Sequence, residues 1–168
     1  MSKITVGWMY PNLLNLHGER GSVQALVKIG KKMGVEVEVL RIEDFADPIP
    51  FEKLDLLMFL PGEMVVFPHL ISALKDSGLG EYLNNGGYLL AIGTSGLMFG
   101  KSILREDGST VEGLGYLNMT AKERKYVWGD DLHLRINDTQ QELIDYAGRP
   151  LTLCKHCQKA LDKEKRSV

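Results

Sequence analysis

The chain has 168 residues, the length of one ordinary domain; split in two, each half would be short of core. Its 44% hydrophobic and 25% charged residues exclude a disordered tail, a collagen-like chain and a coiled coil. Twenty basic residues against 22 acidic ones leave a net charge of −2, so charge alone gives no footing for binding nucleic acid or membrane.

Lys3 to Met9 reads as a first strand. No basic, apolar and cleavage regions of a signal peptide are seen at Met1–Trp8, so a cytoplasmic location is expected. Ser22 after Gly21 is the expected N-cap of a helix whose Val23, Leu26, Val27, Ile29 and Met33 recur at helical spacing. Gly34 is the expected stop. Val35 to Ile42 alternates valines with acidic residues, the pattern of an edge or half-covered strand. Pro48 and Pro50 mark a loop, and Asp55 to Leu60 is an apolar run of central-strand type. The longest apolar run, Leu54 to Pro61, is far shorter than the roughly 20 residues of a membrane span, so no membrane partner is expected.

Leu70 to Leu83 predicts a helix broken by Gly78 and Gly80. The turn Asn84-Asn85-Gly86-Gly87 leads to Tyr88–Ile92, expected as a second central strand, and Gly93–Gly100 follows as a short helix-like segment. After Arg105 the turn Asp107-Gly108-Ser109 precedes two expected short strands, Gly113–Thr120 and Tyr126–Ile136. The alternation of strand and helix predicts an α/β fold: an open, mostly parallel, doubly wound sheet of flavodoxin-like or class I amidotransferase-like type with a small β-rich extension. The expected division is a domain over 1–153 and a polar, lysine-rich tail over 154–168.

In such a sheet, ligands bind outside the carboxyl ends of the strands. Three loops lie there: Tyr10–Gly21, Pro61–Val66 and Gly93–Gly96. The last has the strand–turn–helix form of a nucleophile elbow, which presents one side chain on a tight turn. Asn15, His17, Glu19 and Arg20 from the first loop, Gly62 and Glu63 from the second, and Thr94 and Gly96 from the third form the candidate binding cleft. His17 reads as a packing or hydrogen-bonding residue in preference to a cleft base, and His69 and His133 read as surface residues.

The order of these loops is similar to that of the cobyric acid synthase-like class I glutamine amidotransferases. Tyr10 to Ser22 (YPNLLNLHGERGS) resembles the family's opening, most of all in the GatD type, the glutaminase subunits of lipid II isoglutaminyl synthase, with the pattern YPDLLNLYGDRGN. Leu60-Pro61-Gly62-Glu63 falls where the family has its glycine-rich oxyanion loop. Leu89 to Gly100 (LLAIGTSGLMFG) falls without gaps on the elbow LLAICGGYQLLG, and Gly113–Leu117 resembles the segment GLGLLD. The likeness covers roughly Ile4 to Tyr146.

The resemblance implies glutamine hydrolysis by an elbow cysteine, a histidine base and oxyanion-loop amides, with the ammonia passed to an ATP-dependent ligase or synthetase. On the matching register the cysteine position is Gly93, the glutamine-contacting pair becomes Gly96-Leu97, and Pro61 removes an amide donor from the oxyanion loop. The family's histidine belongs to a segment without a counterpart after Tyr146. The expectation is a degenerate amidotransferase that acts as a binding or partner subunit, beside an ATP-dependent ligase or synthetase or as a homo-oligomer, with no cofactor. The alternative is an active amidotransferase-type or serine-dependent hydrolase using Ser95 or a cleft carboxylate such as Glu63. A third reading completes a zinc site on Cys154 and Cys157 with a symmetry mate or His133, against two incidental cysteines. Both cysteines lie in one short motif, which excludes a secreted disulfide framework.

Overall fold

The computed structural model describes residues 2–46 and 48–123. The expected strand Tyr126–Ile136, His133, the Cys154–Cys157 motif, the tail and the domain boundary after residue 153 all lie outside the described residues.

Four strands, β1 (Ser2–Met9), β2 (Val35–Ile42), β3 (Leu56–Phe59) and β4 (Tyr88–Ala91), form a parallel sheet in the order β2-β1-β3-β4. Helix α1 (Arg20–Lys32) joins β1 to β2, and helices α2 (Phe67–Lys75) and α3 (Leu79–Asn84) join β3 to β4. This is the α/β architecture that the strand–helix alternation predicts. The chain moves outward in one direction from β1 to β2 and in the other from β3 to β4. The gap between β1 and β3 is therefore the topological switch point, where a sheet of this kind opens a crevice.

The two inner strands carry the core. Val6, Trp8 and Met9 of β1 and Leu57, Met58 and Phe59 of β3 are buried, because a parallel strand with neighbours on both sides and layers on both faces meets no water. Edge strand β2 keeps its alternation: Glu36, Glu38 and Arg41 are exposed while Val35, Val37 and Val39 are half-buried. Strand β4 was expected to be central, but it forms the other edge of the described sheet. Leu89 and Ala91 pack on the core, whereas Tyr88 and Leu90 are 73% and 41% exposed. An apolar run of four residues does not distinguish a strand flanked on both sides from one flanked on one.

Helix boundaries shift by a few residues. Helix α1 begins at Arg20, not after a Ser22 cap, and Ser22 sits in its first turn with its N–H donated to the Glu19 carbonyl at 2.9 Å. The Asn15 side chain accepts the N–H of the N-cap residue Glu19 at 2.8 Å, and no side chain of the N-cap bonds the first-turn amides. Gly34, at φ 74°, ends the helix as expected. Helix α2 begins at Phe67, three residues earlier than expected, with Pro68 in the first turn, where no amide donor is needed. The break before α3 is at Gly78, with φ 92°.

A second sheet, β5 (Ser102–Leu104), β6 (Thr110–Glu112) and β7 (Thr120–Lys122), has the order β6-β5-β7. β5 and β6 are antiparallel around the Asp107–Ser109 turn, while β5 and β7 are parallel. The strand expected over Gly113–Thr120 is instead a return loop. Its amides are spent on the preceding segment: Gly113 on the Lys101 carbonyl, Leu114 on Met98, Gly115 on Gly100 and Leu117 on Phe99, at 2.8–2.9 Å. Amides spent on the elbow helix and the two residues after it are not free to extend a ladder.

Candidate functional site

The three loops at the carboxyl end of the sheet are tied together by their backbones. Tyr10 ends β1 at φ 48°, the only non-glycine residue with positive φ among the described residues. Its carbonyl accepts the N–H groups of Leu13 and Leu14 at 2.9 and 2.8 Å, turning the chain sharply at the switch point. The Tyr10 ring is buried against Phe45, 5.0 Å between centroids, and that burial raises its phenol pKa. Further along the loop, the Leu16 N–H reaches the Pro61 carbonyl at 3.1 Å.

The second loop approaches the first closely. A Cβ on Gly62 would lie 2.6 Å from Leu14 Cδ2 and 3.0 Å from the Leu13 carbonyl oxygen, so only glycine fits between them. Thr94 then joins the second loop to the third. Its hydroxyl donates to the Gly62 carbonyl at 2.7 Å and accepts the Gly62 N–H at 3.1 Å.

The elbow follows β4 directly. The Ile92 N–H bonds the Phe59 carbonyl at 2.9 Å, and the chain turns at Gly93, φ 61°, into a 3₁₀ helix, Gly93–Phe99. This is the strand–turn–helix of a nucleophile elbow, with a left-handed apex. The apex has no side chain, and a Cβ built there would stand 3.0 Å from Pro61 Cγ and 3.4 Å from Pro61 Cβ. A side chain at the apex would press on the proline ring, while Gly93 itself is exposed.

The Ser95 side chain is fully buried, its hydroxyl 2.9 Å from the Ile92 carbonyl and 3.0 Å from that of Phe59, with its one proton shared between them. This oxygen pins the elbow helix to the strands beneath it and is turned away from solvent. The placement argues against Ser95 as a nucleophile, a role that needs an exposed hydroxyl beside a base. Glu63 is exposed, and its carboxylate has no hydrogen bond or ion pair among the described residues. His17 is exposed too, against the expected packing role. Gly96 is half-exposed with open space around it.

Gly62, Gly93 and Thr94 are thus brought together, with Asn15 bracing the first loop. Arg20 goes elsewhere: it lines an opening between α1 and β2 shared with Trp8 and Arg41, to which no residue of Pro61–Glu63 or Gly93–Gly96 contributes. Two features escape sequence reading. The approach of Pro61 to Gly93 joins positions 32 residues apart, and only the pairing of β3 with β4 aligns them. The opening beside Trp8 depends on the register that sets Trp8 opposite Arg41; the one signal for it is an arginine on the otherwise valine and acidic strand β2. Among the described residues no three His, Cys, Asp or Glu side chains cluster to hold a metal ion, and no helix is long and apolar enough to cross a membrane.

No family model matches the chain. It is similar to GatD, a subunit of the glutamine-hydrolysing lipid II isoglutaminyl synthase. To GatD of Streptococcus pneumoniae (strain R6) it is 27% identical over 118 residues, 68% of this chain and 45% of that protein. To GatD of Staphylococcus aureus (strain N315) it is 27% identical over 127 residues, 74% of this chain and 51% of that protein. The chain thus spans about half the length of these relatives.

Proposed function

We propose that this chain keeps the scaffold of a GatD-like, cobyric acid synthase-type class I glutamine amidotransferase without its nucleophile, and serves as a binding or partner subunit of an ATP-dependent ligase or synthetase. On this reading residues 1–153 are the amidotransferase-like domain and residues 154–168 its tail. The surface offered to a ligand or partner is the joined loop edge with Asn15, Gly62, Thr94 and Gly96.

The observation that carries the reading is the elbow apex. Glutamine hydrolysis by this class requires a thiolate at the turn, a base and amide donors for the tetrahedral oxyanion. Gly93 supplies no nucleophile, and a Cβ there would stand 3.0 Å from Pro61 Cγ. The Gly62 amide, which the resemblance places in the oxyanion loop, is already held by Thr94 Oγ1 at 3.1 Å. Pro61 has no amide to offer. Two of the three requirements are therefore unmet by groups in the chain's own geometry.

The test is ammonia release from glutamine by the full chain, alone and with an ATP-dependent amide ligase added. The expected result is release no faster than from buffer in either case. Turnover by the unaltered chain in either arm contradicts the loss of activity. Complex formation, measured by sedimentation of the mixture, tests the partner role separately, and two unlinked boundaries with every ligase tried contradict it.

A further inference from the structure

Helix α1 packs along the β1–β2 edge of the sheet. At its C-terminal end Gly30 is so close to β2 that a Cβ there would meet Val37 Cγ2. At its N-terminal half the helix stands off, and a trough of about 590 Å³ opens between it and the β1–β2 edge. Residues 20, 23, 27 and 28 of α1 form one helical stripe along the trough, and Trp8, Val39 and Arg41 come from the facing sheet. The volume is that of a small-molecule site.

The lining is divided in a way that core packing does not require. Val23, Val27, Val39 and the Trp8 ring make apolar walls, while Arg20, Lys28 and Arg41 bring three cations and no lining residue is acidic. The Arg41 guanidinium lies over the Trp8 ring, 5.2 Å from its centroid, and pairs at the rim with Glu43 at 2.7 Å. Neither Arg20 nor Lys28 has an ion pair among the described residues. Trp8 is 7% exposed, and its Nε1–H is buried without a hydrogen-bond acceptor. A guanidinium on an indole face and two unpaired cations over apolar walls are complementary to one kind of ligand.

We propose that this trough binds a small organic anion: a flat apolar ring bearing one carboxylate or phosphate group. The ring lies against the valines and Trp8, and the oxyanion is held by Arg20 and Arg41, whose planar donor forks match either group. Lys28, about 12 Å further along the helix at 1.5 Å per residue, takes a second anionic substituent where the ligand has one. The site is independent of the elbow and of the fate of its nucleophile.

The test uses the full chain and three probes with one ring: 1-naphthoate, 1-naphthyl phosphate and the uncharged 1-naphthalenemethanol, titrated by calorimetry. At least one acid is expected to bind one site per chain, about tenfold or more tighter than the alcohol, and the tighter acid tells carboxylate from phosphate. The Trp8 indole N–H signal, assigned in the NMR spectrum by its loss in Trp8→Phe, is expected to shift at saturation. Arg20→Gln combined with Arg41→Gln is expected to weaken the acid about tenfold or more, and Val27→Trp, with its fold checked by circular dichroism, to fill the trough and abolish binding. The proposal is overturned if neither acid binds at millimolar concentration, if the alcohol binds as tightly as the acids, or if the double arginine variant binds the acid unchanged.

Discussion

Two regions, the elbow and the trough beside Trp8, lie near the carboxyl end of the same sheet, and they differ in how far their polar groups are spent. At the elbow, both backbone groups of Gly62 are taken by Thr94, and Ser95 bonds the carbonyls of Phe59 and Ile92. The apex has no side chain, and Pro61 stands beside it. In the trough, Arg20 and Lys28 have no ion pair among the described residues. The region whose sequence resembles catalytic motifs is satisfied from within. The region with no motif holds the unpaired groups. Free polar groups over apolar walls, and not resemblance, are what leave room for a ligand.

The contrast breaks most readily at Gly62. Gly62→Val forces a side chain into Leu14 and the Leu13 carbonyl and is expected to cost on the order of 3 kcal/mol. Urea unfolding of the variant measures it, and a stability within experimental error of the unaltered chain would mean that the loops are not joined there. Ser95→Ala comes next, at about 1–2 kcal/mol, because the buried hydroxyl's bonds to the Phe59 and Ile92 carbonyls are lost, while the Phe59 carbonyl keeps the Ile92 N–H. If Ser95 faced the cleft instead, the same change would leave the unfolding midpoint in place.

Gly93→Ala is expected to cost about 1–2 kcal/mol through its left-handed φ and the contact with Pro61. In a Pro61→Ala background part of that cost should disappear. Strict additivity of the two changes would show that proline and apex do not touch.

The smallest effect sharpens the comparison from outside both regions. The Glu106 N–H and the Arg105 guanidinium hold the Glu123 carboxyl below its ordinary value in the second sheet. Its contribution is therefore present above the ordinary glutamate range and is lost as pH falls through the lower folded value, since the unfolded chain takes up the proton first. An acid titration followed by circular dichroism should show this dependence in the unaltered chain and a reduced one in Glu123→Gln. Identical acid profiles would remove the assignment.

Local pattern carried much of the fold. The alternation of Val35–Ile42 marked an edge strand, the apolar run at Leu56–Phe59 a central one, and Gly34 and Gly78 helix ends, because each depends on periodicity or backbone freedom within a few residues. Position in the sheet was less legible. Tyr88–Ala91 reads as buried on hydrophobicity, but how many neighbours a strand has depends on residues far from it. The Gly113–Thr120 strand failed for a similar reason: its amides bond a helix earlier in the chain.

The site shows the same division. That Gly93 falls at a turn apex was readable from the strand–turn–helix order. That Ser95 is buried depends on the direction of a 3₁₀ helix, with three residues per turn, and the α-helix pattern of the resemblance does not supply it. Arg20 was grouped with the cleft by its loop, yet as the first residue of α1 it belongs to the helical stripe facing β2.

The central claim, that the elbow carries no nucleophile, is tested most directly by intact-mass measurement of the full chain after incubation with a diazoketone analogue of glutamine, which alkylates an activated nucleophile held beside a glutamine pocket. The account predicts an unchanged mass, and the same result with Ser95→Ala. A single stoichiometric adduct that glutamine suppresses, at any residue of the loop edge, would contradict it.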